Sequence, residues 1–242
     1  MNKDQKIIII IITITVLIAA LFGIYAYKHH DIKKCDVKES DAIKFNKEYS
    51  EYNGKKYDNT NISYLDVNLD SNNVFKYISD EELINTLNNG TGVFYFGFPM
   101  CPWCRSLVAV LNDTAKASGI TQVYYVNISS MRDSYTIKDK KVVNDTKGSD
   151  TYYKLLDYLK DYLTDYKITD ENGKEYKTGV KRLYAPTTVV VKNGKIVGFL
   201  EGTVDSQVKF KALSNDETKI LTNKLSEMFK KISSVMCTDK AC

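Results

Sequence analysis

The sequence VFYFGFPMCPWC spans residues 93–104 and joins an uncharged aromatic run to two cysteines, Cys101 and Cys104. Residues 92–98 have the apolar composition of a buried strand. The residues after the second cysteine show helical periodicity as far as Gly119, a residue type that commonly ends helices. The cysteine pair is therefore predicted to lie where a buried strand passes into a helix.

Cys101 and Cys104 are predicted to differ in reactivity. Pro102 suits the first helical turn, so the helix is predicted to begin directly after Cys101. Free backbone N–H groups and the helix dipole then favour the Cys101 thiolate, which is the reactive form. We expect an exposed Cys101 to attack a substrate disulfide and a shielded Cys104 to resolve the mixed disulfide; the reverse sequence would oxidise a dithiol. Arg105 either helps to stabilise this thiolate or is an ordinary solvated charge.

A C-x-x-C pair is also half of a typical zinc site, which needs about four ligands. The other candidate ligands all lie near the chain ends: Cys35, Cys237, Cys242, His29 and His30. This distribution favours a redox pair over a metal site, and no cofactor is predicted. Cys237 and Cys242 are expected to form a structural disulfide because the loop that they close is short. Pairings with Cys35 and a role as an electron relay stay open.

Apolar periodicity and turn residues predict the remaining elements. The predicted strands are residues 61–69, 122–128, 189–191 and 196–200, and the predicted helices are residues 79–90 and 216–235. Asn193 and Gly194 are predicted to join the last two strands as a hairpin turn. This order predicts an α/β fold in which a parallel strand–helix–strand unit and an antiparallel hairpin form a mixed sheet with helices on both faces.

Residues 129–180 are predicted to be an insertion into this fold. A helix with an apolar stripe is predicted after Asp150, which is a plausible cap. Asn172 and Gly173 lie between polar alternating segments and indicate a hairpin. The insertion is therefore expected to contain a helix and a hairpin.

An uncharged run at residues 7–27 is long enough, at about 1.5 Å per residue, to cross a bilayer core of roughly 30 Å. Its length and the lack of a clean Ala-x-Ala site favour an uncleaved anchor over a signal peptide. Lysines flank both ends and do not fix the orientation, but the short tail and the cysteines favour a single-pass cell-membrane protein with an extracytoplasmic domain. The predicted order is a tail at 1–6, the anchor at 7–27, a juxtamembrane stalk at 28–60 with some helix around residues 41–52, and one domain at 61–242.

Two segments resemble the thioredoxin superfamily, over about residues 75–235. One is VFYFGFPMCPWC, and the other is APTTVVVKNGKIVGFLEG at residues 185–202. The resemblance implies a three-layer α/β/α domain that exchanges disulfides with protein substrates and an unidentified redox partner. It also implies a cis bond between Ala185 and Pro186 beside the cysteine pair, where substrate backbone can pair. Trp103 would then offer an apolar contact for the substrate.

The chain departs from thioredoxin itself at two places. Pro102 and Trp103 stand between the cysteines in place of Gly-Pro, so the direction of electron flow does not follow from the resemblance. Tyr95 stands six residues before Cys101, where thioredoxin has a buried aspartate. A carboxylate that could take the Cys104 proton is therefore missing from that position.

The composition limits the class of partner. The net charge is +4 and the lysines alternate with acids and tyrosines, which argues against nucleic-acid binding. We therefore expect a membrane-anchored thiol–disulfide oxidoreductase. The alternative is a thioredoxin-like accessory or binding module, similar to accessory proteins of bacteriocin transport, that is dedicated to one export or maturation partner. A thiol carrier for copper or haem maturation also stays open.

Overall fold

The computed structural model describes Asn2, residues 13–21 and residues 39–236. Residues 13–21 are helical and belong to a separate N-terminal unit, whereas the main compact unit begins at Ser40. Across the described ranges, no helix is both long enough and apolar enough to cross a membrane. Three predictions fall wholly or partly outside these ranges: the tail at 1–6, the anchor at 7–27 and the start of the stalk at 28–60.

Nine strands and five helices form residues 40–236. The helices are α1 (Asp41–Ser50), α2 (Asp80–Asn89), α3 (Pro102–Ala117), α4 (Asp150–Tyr158) and α5 (Asn215–Met236). The strands are β1 (Phe75–Tyr77), β2 (Gly92–Gly97), β3 (Val123–Asn127), β4 (Ser134–Lys138), β5 (Lys141–Thr146), β6 (Thr164–Thr169), β7 (Glu175–Arg182), β8 (Thr187–Lys192) and β9 (Lys195–Glu201).

The main sheet has five strands in the order β1-β3-β2-β8-β9. Strand β3 pairs in parallel with both β1 and β2, while the β2–β8 and β8–β9 pairs are antiparallel. The β2–α3–β3 unit therefore joins two parallel neighbours, and the hairpin extends the sheet on the other side. The predicted α/β class with a mixed sheet is confirmed.

Helices cover both faces of this sheet because alternate strand residues point to opposite sides. Val93 and Tyr95 of β2 pack into one core with residues of α1, α3 and α5. Phe94 and Phe96 pack into a second core with residues of α2 and α4. Cys101 and Cys104 belong to the first core, so the pair lies on the face that α1 and α5 cover.

Helix α1 is part of the domain core rather than of a stalk. Phe45 and Tyr49 lie on one helical face and are fully buried. The Phe45 ring stacks on Phe75 of β1 with the ring centroids 3.9 Å apart. The assignment of residues 28–60 to a juxtamembrane stalk is therefore wrong for α1, because a helix that buries two aromatic rings cannot be a solvated linker.

Residues 61–69 form no strand, contrary to the prediction. Ser63 makes an isolated bridge to Lys56, and the backbone of Val67 is bound by a side chain instead. The Asn53 amide donates to the Val67 carbonyl oxygen at 3.0 Å and accepts from the Val67 N–H at 2.9 Å. The edge strand beside β3 is β1, which the sequence pattern does not reveal.

The insertion contains α4 and two hairpins, β4–β5 and β6–β7. The hairpin predicted at Asn172 and Gly173 is confirmed as β6–β7. Ser149 rather than Asp150 caps α4, because the Ser149 hydroxyl accepts a hydrogen bond from the Tyr152 N–H. The predicted helix and hairpin are both present, and β4–β5 is an additional element.

Backbone conformation at two tight turns explains why one hairpin is predictable and the other is not. Asn193 and Gly194 have φ values of 50° and 72°, and they confirm the predicted β8–β9 turn. Asp139 and Lys140 of β4–β5 have similar values of 51° and 59°. A pair of left-handed residues favours Asn-Gly or Asp-Gly. Lysine in the second position therefore leaves no signal in the sequence.

A buried ion pair fixes the loop between β3 and β4. The Asp133 carboxylate lies 2.7 Å from Nη1 of Arg182, at the end of β7, and both side chains are shielded from solvent. The same nitrogen donates to the Asp133 carbonyl oxygen at 2.7 Å. Removing one partner of such a pair leaves an uncompensated buried charge. The loop that precedes Asp133, with Arg132, is therefore held in place by β7.

Candidate active site

Cys101 is the N-cap of α3, and Pro102 occupies the first turn of that helix, as the sequence predicts. Strand β2 is buried along its whole length and brings the chain to this point. The Cys101 sulfur accepts a hydrogen bond from the Cys104 N–H at 3.3 Å. The first four N–H groups of a helix have no intrahelical partner, so the sulfur occupies the position of a capping oxygen.

Both sulfur atoms are shielded from solvent. Cys104 is 0% exposed and Cys101 is 4% exposed, so the expectation of an exposed Cys101 is wrong. The Cys101 thiol donates to the Ala185 carbonyl oxygen at 3.3 Å, and the segment that carries Ala185 covers it. Both thiols are free, and Cys101 is the one that retains an accessible edge.

The environment displaces the two thiol pKa values in opposite directions. The pKa of Cys101 is lowered, first because the Cys104 thiol donates a hydrogen bond to its sulfur. Burial acts in the opposite direction, but the thiol hydrogen bond together with the backbone N–H groups of Cys104 and Trp103 outweighs it. Burial raises the pKa of Cys104 well above its ordinary value, and the nearby Cys101 sulfur adds to the effect. The pair therefore favours a Cys101 thiolate beside a protonated Cys104.

Arg132 is a charged group near Cys101 that no sequence motif indicates. Its guanidinium lies over the ring of Phe98, 4.8 Å from the centroid, and its Nε is buried without a hydrogen-bond partner. Its positive charge also lowers the pKa of Cys101. Because Arg132 comes from the insertion and not from the segment around the cysteines, no local motif marks it.

Tyr95 occupies the position where a carboxylate is missing, and it contacts the resolving sulfur. It is fully buried in the same core as Cys104, and a hydrogen bond from its side chain lowers the pKa of the Cys104 thiol, against the larger effect of burial. Its hydroxyl oxygen lies 2.7 Å from that of Tyr49 in α1. Burial raises the pKa of both tyrosines well above the ordinary value, so both hydroxyls keep their protons at neutral pH. Tyr49 is absent from the sequence-based site because the contact joins distant parts of the chain.

Arg105 is a structural clamp, which neither interpretation of its sequence position anticipates. It is 3% exposed. Its guanidinium donates to four oxygens: the carbonyls of Leu65, Tyr49 (2.8 Å) and Pro99 (3.1 Å), and Oδ1 of Asn53 (2.6 Å). These bonds fasten the first turn of α3 to the chain that follows α1. Arg105 therefore holds the cysteine helix in place, and it does not appear among the main groups that shift the pKa of Cys101.

The Ala185–Pro186 bond is cis, as the resemblance implies. Ala185 contacts the Cys101 sulfur directly, and the Pro186 carbonyl accepts a hydrogen bond from the Gly202 N–H at 2.7 Å. This bond joins the start of β8 to the end of β9. The structure therefore brings Ala185 and Pro186 together with the cysteine pair.

A cleft of about 300 Å³ opens beside the pair, between Trp103 and Ala185. Tyr184, Glu201 and Asp205 also line it. Trp103 is half-buried and packs partly against the first core, which leaves the rest of its ring at the cleft. A larger cleft of about 610 Å³ lies between the two hairpins of the insertion and is lined by no cysteine. The cleft at Trp103 is not lined by a cysteine either, but two of its lining residues adjoin the pair: Trp103 lies between the cysteines, and the Ala185 carbonyl oxygen contacts the Cys101 sulfur.

Two further predictions concern metal binding and the three cysteines outside the C-x-x-C pair. Within residues 13–21 and 39–236, no group of three or more His, Cys, Asp or Glu side chains is arranged to hold a metal ion. Cys35, Cys237 and Cys242 lie outside the described residues. The disulfide between Cys237 and Cys242 therefore stays a prediction.

Compared with protein-family models, with curated proteins and with solved structures, the chain gave no match in any of the three comparisons. Any function assigned to the pair rests on its own chemistry.

Proposed function

We propose that the chain is a thiol–disulfide oxidoreductase in which Cys101 is the nucleophile and Cys104 the resolving thiol. The observation that carries the proposal is a pair of free thiols at one helix terminus, where the Cys101 sulfur caps α3 and the Cys104 side chain is fully buried one turn further on. A hydrogen bond from Cys104 lowers the pKa of Cys101, and burial raises that of Cys104. Thiol–disulfide exchange requires this combination of an available thiolate and a thiol that stays protected until it is needed.

The exchange proceeds in two steps. The Cys101 thiolate attacks a substrate disulfide, forms a bond to one substrate sulfur and displaces the other with its electron pair. The Cys104 sulfur then attacks Cys101, closes the intramolecular disulfide and releases the reduced substrate. In the opposite direction, the oxidised pair accepts two electrons from a substrate dithiol. The reduction potential of the pair decides which direction dominates.

The surroundings of the pair support a protein as substrate. Trp103 offers an apolar surface at the rim of the cleft, and Ala185 brings backbone to the Cys101 sulfur. An extended segment that carries a disulfide can contact both groups while its sulfur approaches Cys101. The shielding of Cys101 favours substrates whose disulfide projects from the surface.

The proposal also includes a thioredoxin-like fold for the domain and a location at the cell membrane. A strand that leads into C-x-x-C at a helix start, opposite Ala185 and Pro186, supports a thioredoxin-like domain. Residues 7–27 would anchor the chain in the cell membrane with the domain outside the cytoplasm, where disulfides persist.

The full-length protein should reduce insulin disulfides with dithiothreitol as electron source, or oxidise a reduced test protein. Cys101→Ser removes the nucleophile, and we expect at least a hundredfold loss, about 2.7 kcal/mol of barrier. Cys35→Ser is the matched control and should retain activity, because the exchange needs only the C-x-x-C pair. Activity of Cys101→Ser equal to that of the control would contradict the proposal.

The alternative of a dedicated accessory module has one supporting observation, the narrow access to Cys101. Cys104→Ser prevents resolution, so it should trap substrates as mixed disulfides with Cys101. Several trapped proteins would indicate a general oxidoreductase, and one trapped protein a dedicated factor. Absence of any trapped protein would indicate a binding module.

A further inference from the structure

Cys104 must become nucleophilic in a place that solvent does not reach. Its sulfur is fully buried, and burial raises its pKa. The carboxylate of Glu48 in α1 is already engaged, since it accepts hydrogen bonds from Tyr77, from Tyr125 at 2.9 Å and from Asn127 at 2.9 Å. The Tyr95 side chain lies in the same buried core as Cys104, and a hydrogen bond from its neutral hydroxyl lowers the pKa of the Cys104 thiol.

Tyr95 is directed toward Cys104 by the local geometry of β2. The side chains of residues 95 and 97 project on the same side of the strand. Gly97 has no side chain, and a Cβ atom there would lie 2.2 Å from the Tyr95 hydroxyl oxygen. Glycine at position 97 therefore leaves the space that the tyrosine ring fills on its way to the sulfur.

Tyr49 of α1 extends this contact into a chain of hydroxyls. Its oxygen lies 2.7 Å from that of Tyr95, and either oxygen can be the donor. When Tyr49 donates to Tyr95, the Tyr95 proton is free to point at the Cys104 sulfur. A hydroxyl that accepts one hydrogen bond becomes a better donor in the next.

We propose that the Tyr95 hydroxyl, positioned by Tyr49, donates a hydrogen bond that stabilises negative charge on the Cys104 sulfur during resolution of the mixed disulfide. The inference rests on the proposed function and deepens it. Tyr95 is then a catalytic residue because it touches a reacting atom, and Tyr49 is a positioning residue. Helix α1 thereby contributes to the site.

The step balances without a base. The Cys104 sulfur forms a bond to Cys101, the bond from Cys101 to the substrate sulfur breaks, and its electron pair leaves with that sulfur. The departing substrate sulfur takes the Cys104 proton as its bond to Cys101 breaks, so no further base is needed and negative charge develops on Cys104 while the new bond forms. Tyr95 keeps its own proton throughout, which agrees with the raised pKa that burial gives it.

The test uses reduced full-length protein and dithiodipyridine, a small aromatic disulfide that releases a coloured thione at each step. The first release reports attack by Cys101, and the second reports resolution by Cys104. In Tyr95→Phe we expect an unchanged first phase and a second phase slowed about tenfold, the effect of one hydrogen bond to a charged group. The pH profile of the second phase should move to higher pH.

Tyr125→Phe is the matched control. The Tyr125 ring stacks on Tyr95 with the centroids 5.7 Å apart, but its hydroxyl donates to Glu48. Both phases should therefore resemble those of the parent. Tyr49→Phe should slow the second phase by a smaller factor and shift its pH profile in the same direction. This variant decides the matter if Tyr95→Phe does not fold by circular dichroism.

The inference would be overturned if folded Tyr95→Phe showed a second phase of normal rate and pH profile. If Tyr95→Phe does not fold, the same result in Tyr49→Phe would overturn it. Either result would leave the proposed function intact. Absence of the first phase in the parent protein would overturn the proposed function itself. Slowing of both phases by the same factor in Tyr95→Phe would indicate a general structural role, and it would also overturn the inference.

Discussion

At the scale of single residues, Arg132 illustrates how the insertion reaches the reactive sulfur. Its charge acts together with the Cys104 hydrogen bond and the backbone N–H groups to lower the pKa of Cys101. Arg132 is half-buried, and its guanidinium lies over the ring of Phe98. No sequence motif marks its position. The residue therefore couples the insertion to the chemistry of the pair.

Arg132→Met removes this charge and retains much of the apolar stem. We expect the pKa of Cys101 to rise, which moves the pH profile of its alkylation by iodoacetamide to higher pH. Lys138→Met is the control, because Lys138 is an exposed lysine of the same insertion that pairs with Asp145. A profile of Arg132→Met that coincides with the Lys138→Met profile would contradict this role.

At the scale of elements, α3 is fixed by the Arg105 clamp as well as by its apolar face. Leu107, Val108 and Leu111 are fully buried against the sheet and α5. The guanidinium adds four hydrogen bonds to backbone and side-chain oxygens. The position of Cys101 thus depends on the segment after α1.

Arg105→Lys keeps the charge but loses the fork of donors that reaches several oxygens at once. We expect a loss of about 2–4 kcal/mol in the free energy of unfolding, because buried carbonyls lose charged partners. Urea unfolding of the reduced protein measures the loss. Lys116→Met, near the other end of α3, should change this free energy by less than about 0.5 kcal/mol. Equal stability of the two variants would show that the clamp is unimportant.

Elements with local signals could be predicted from the sequence. Ser79 caps α2 by accepting from the Glu82 N–H, and Gly90 follows its last residue, both as the sequence indicates. The turn at Asn193 and Gly194 is predictable because both residue types favour the backbone that the turn requires. Cys101 at the start of α3 follows from the proline after it.

Features that depend on distant contacts could not be predicted. Phe45 and Tyr49 form a short apolar stripe in a polar segment, and nothing local shows that it packs on β1. The approach of Tyr49 to Tyr95 depends on that packing. The resemblance implies that Ala185 lies beside the cysteine pair, but it does not show that Ala185 shields the Cys101 sulfur. Local patterns therefore locate the cysteines but not the groups that surround them.

At the scale of the whole molecule, the core contains buried tyrosines whose pKa is raised. Burial raises the pKa of Tyr49, Tyr95 and Tyr125 above the ordinary value of about 10. The folded chain keeps these protons at pH values where the unfolded chain has lost them. Their contribution to stability is fully present below about pH 10 and is lost as the pH rises further.

We therefore expect the free energy of unfolding to fall above about pH 10, by up to about 1.4 kcal/mol per pH unit for each such tyrosine. Circular dichroism at increasing pH measures unfolding, and phenolate absorbance measures tyrosine ionisation. The absorbance of the buried group should appear only together with unfolding. Full ionisation of all 18 tyrosines in a protein that keeps its native spectrum would contradict this picture.

The packing of α1 also defines where an autonomous folding unit begins. A chain that started at residue 61, the boundary suggested by the sequence, would lack Phe45, Tyr49 and Asn53. It would then expose the aromatic side chains of β1 and leave the Arg105 guanidinium with two of its four acceptors. A chain that started just before Ser40 would retain them all. Proteolysis between α1 and residue 61 should therefore inactivate the protein even though it spares both cysteines.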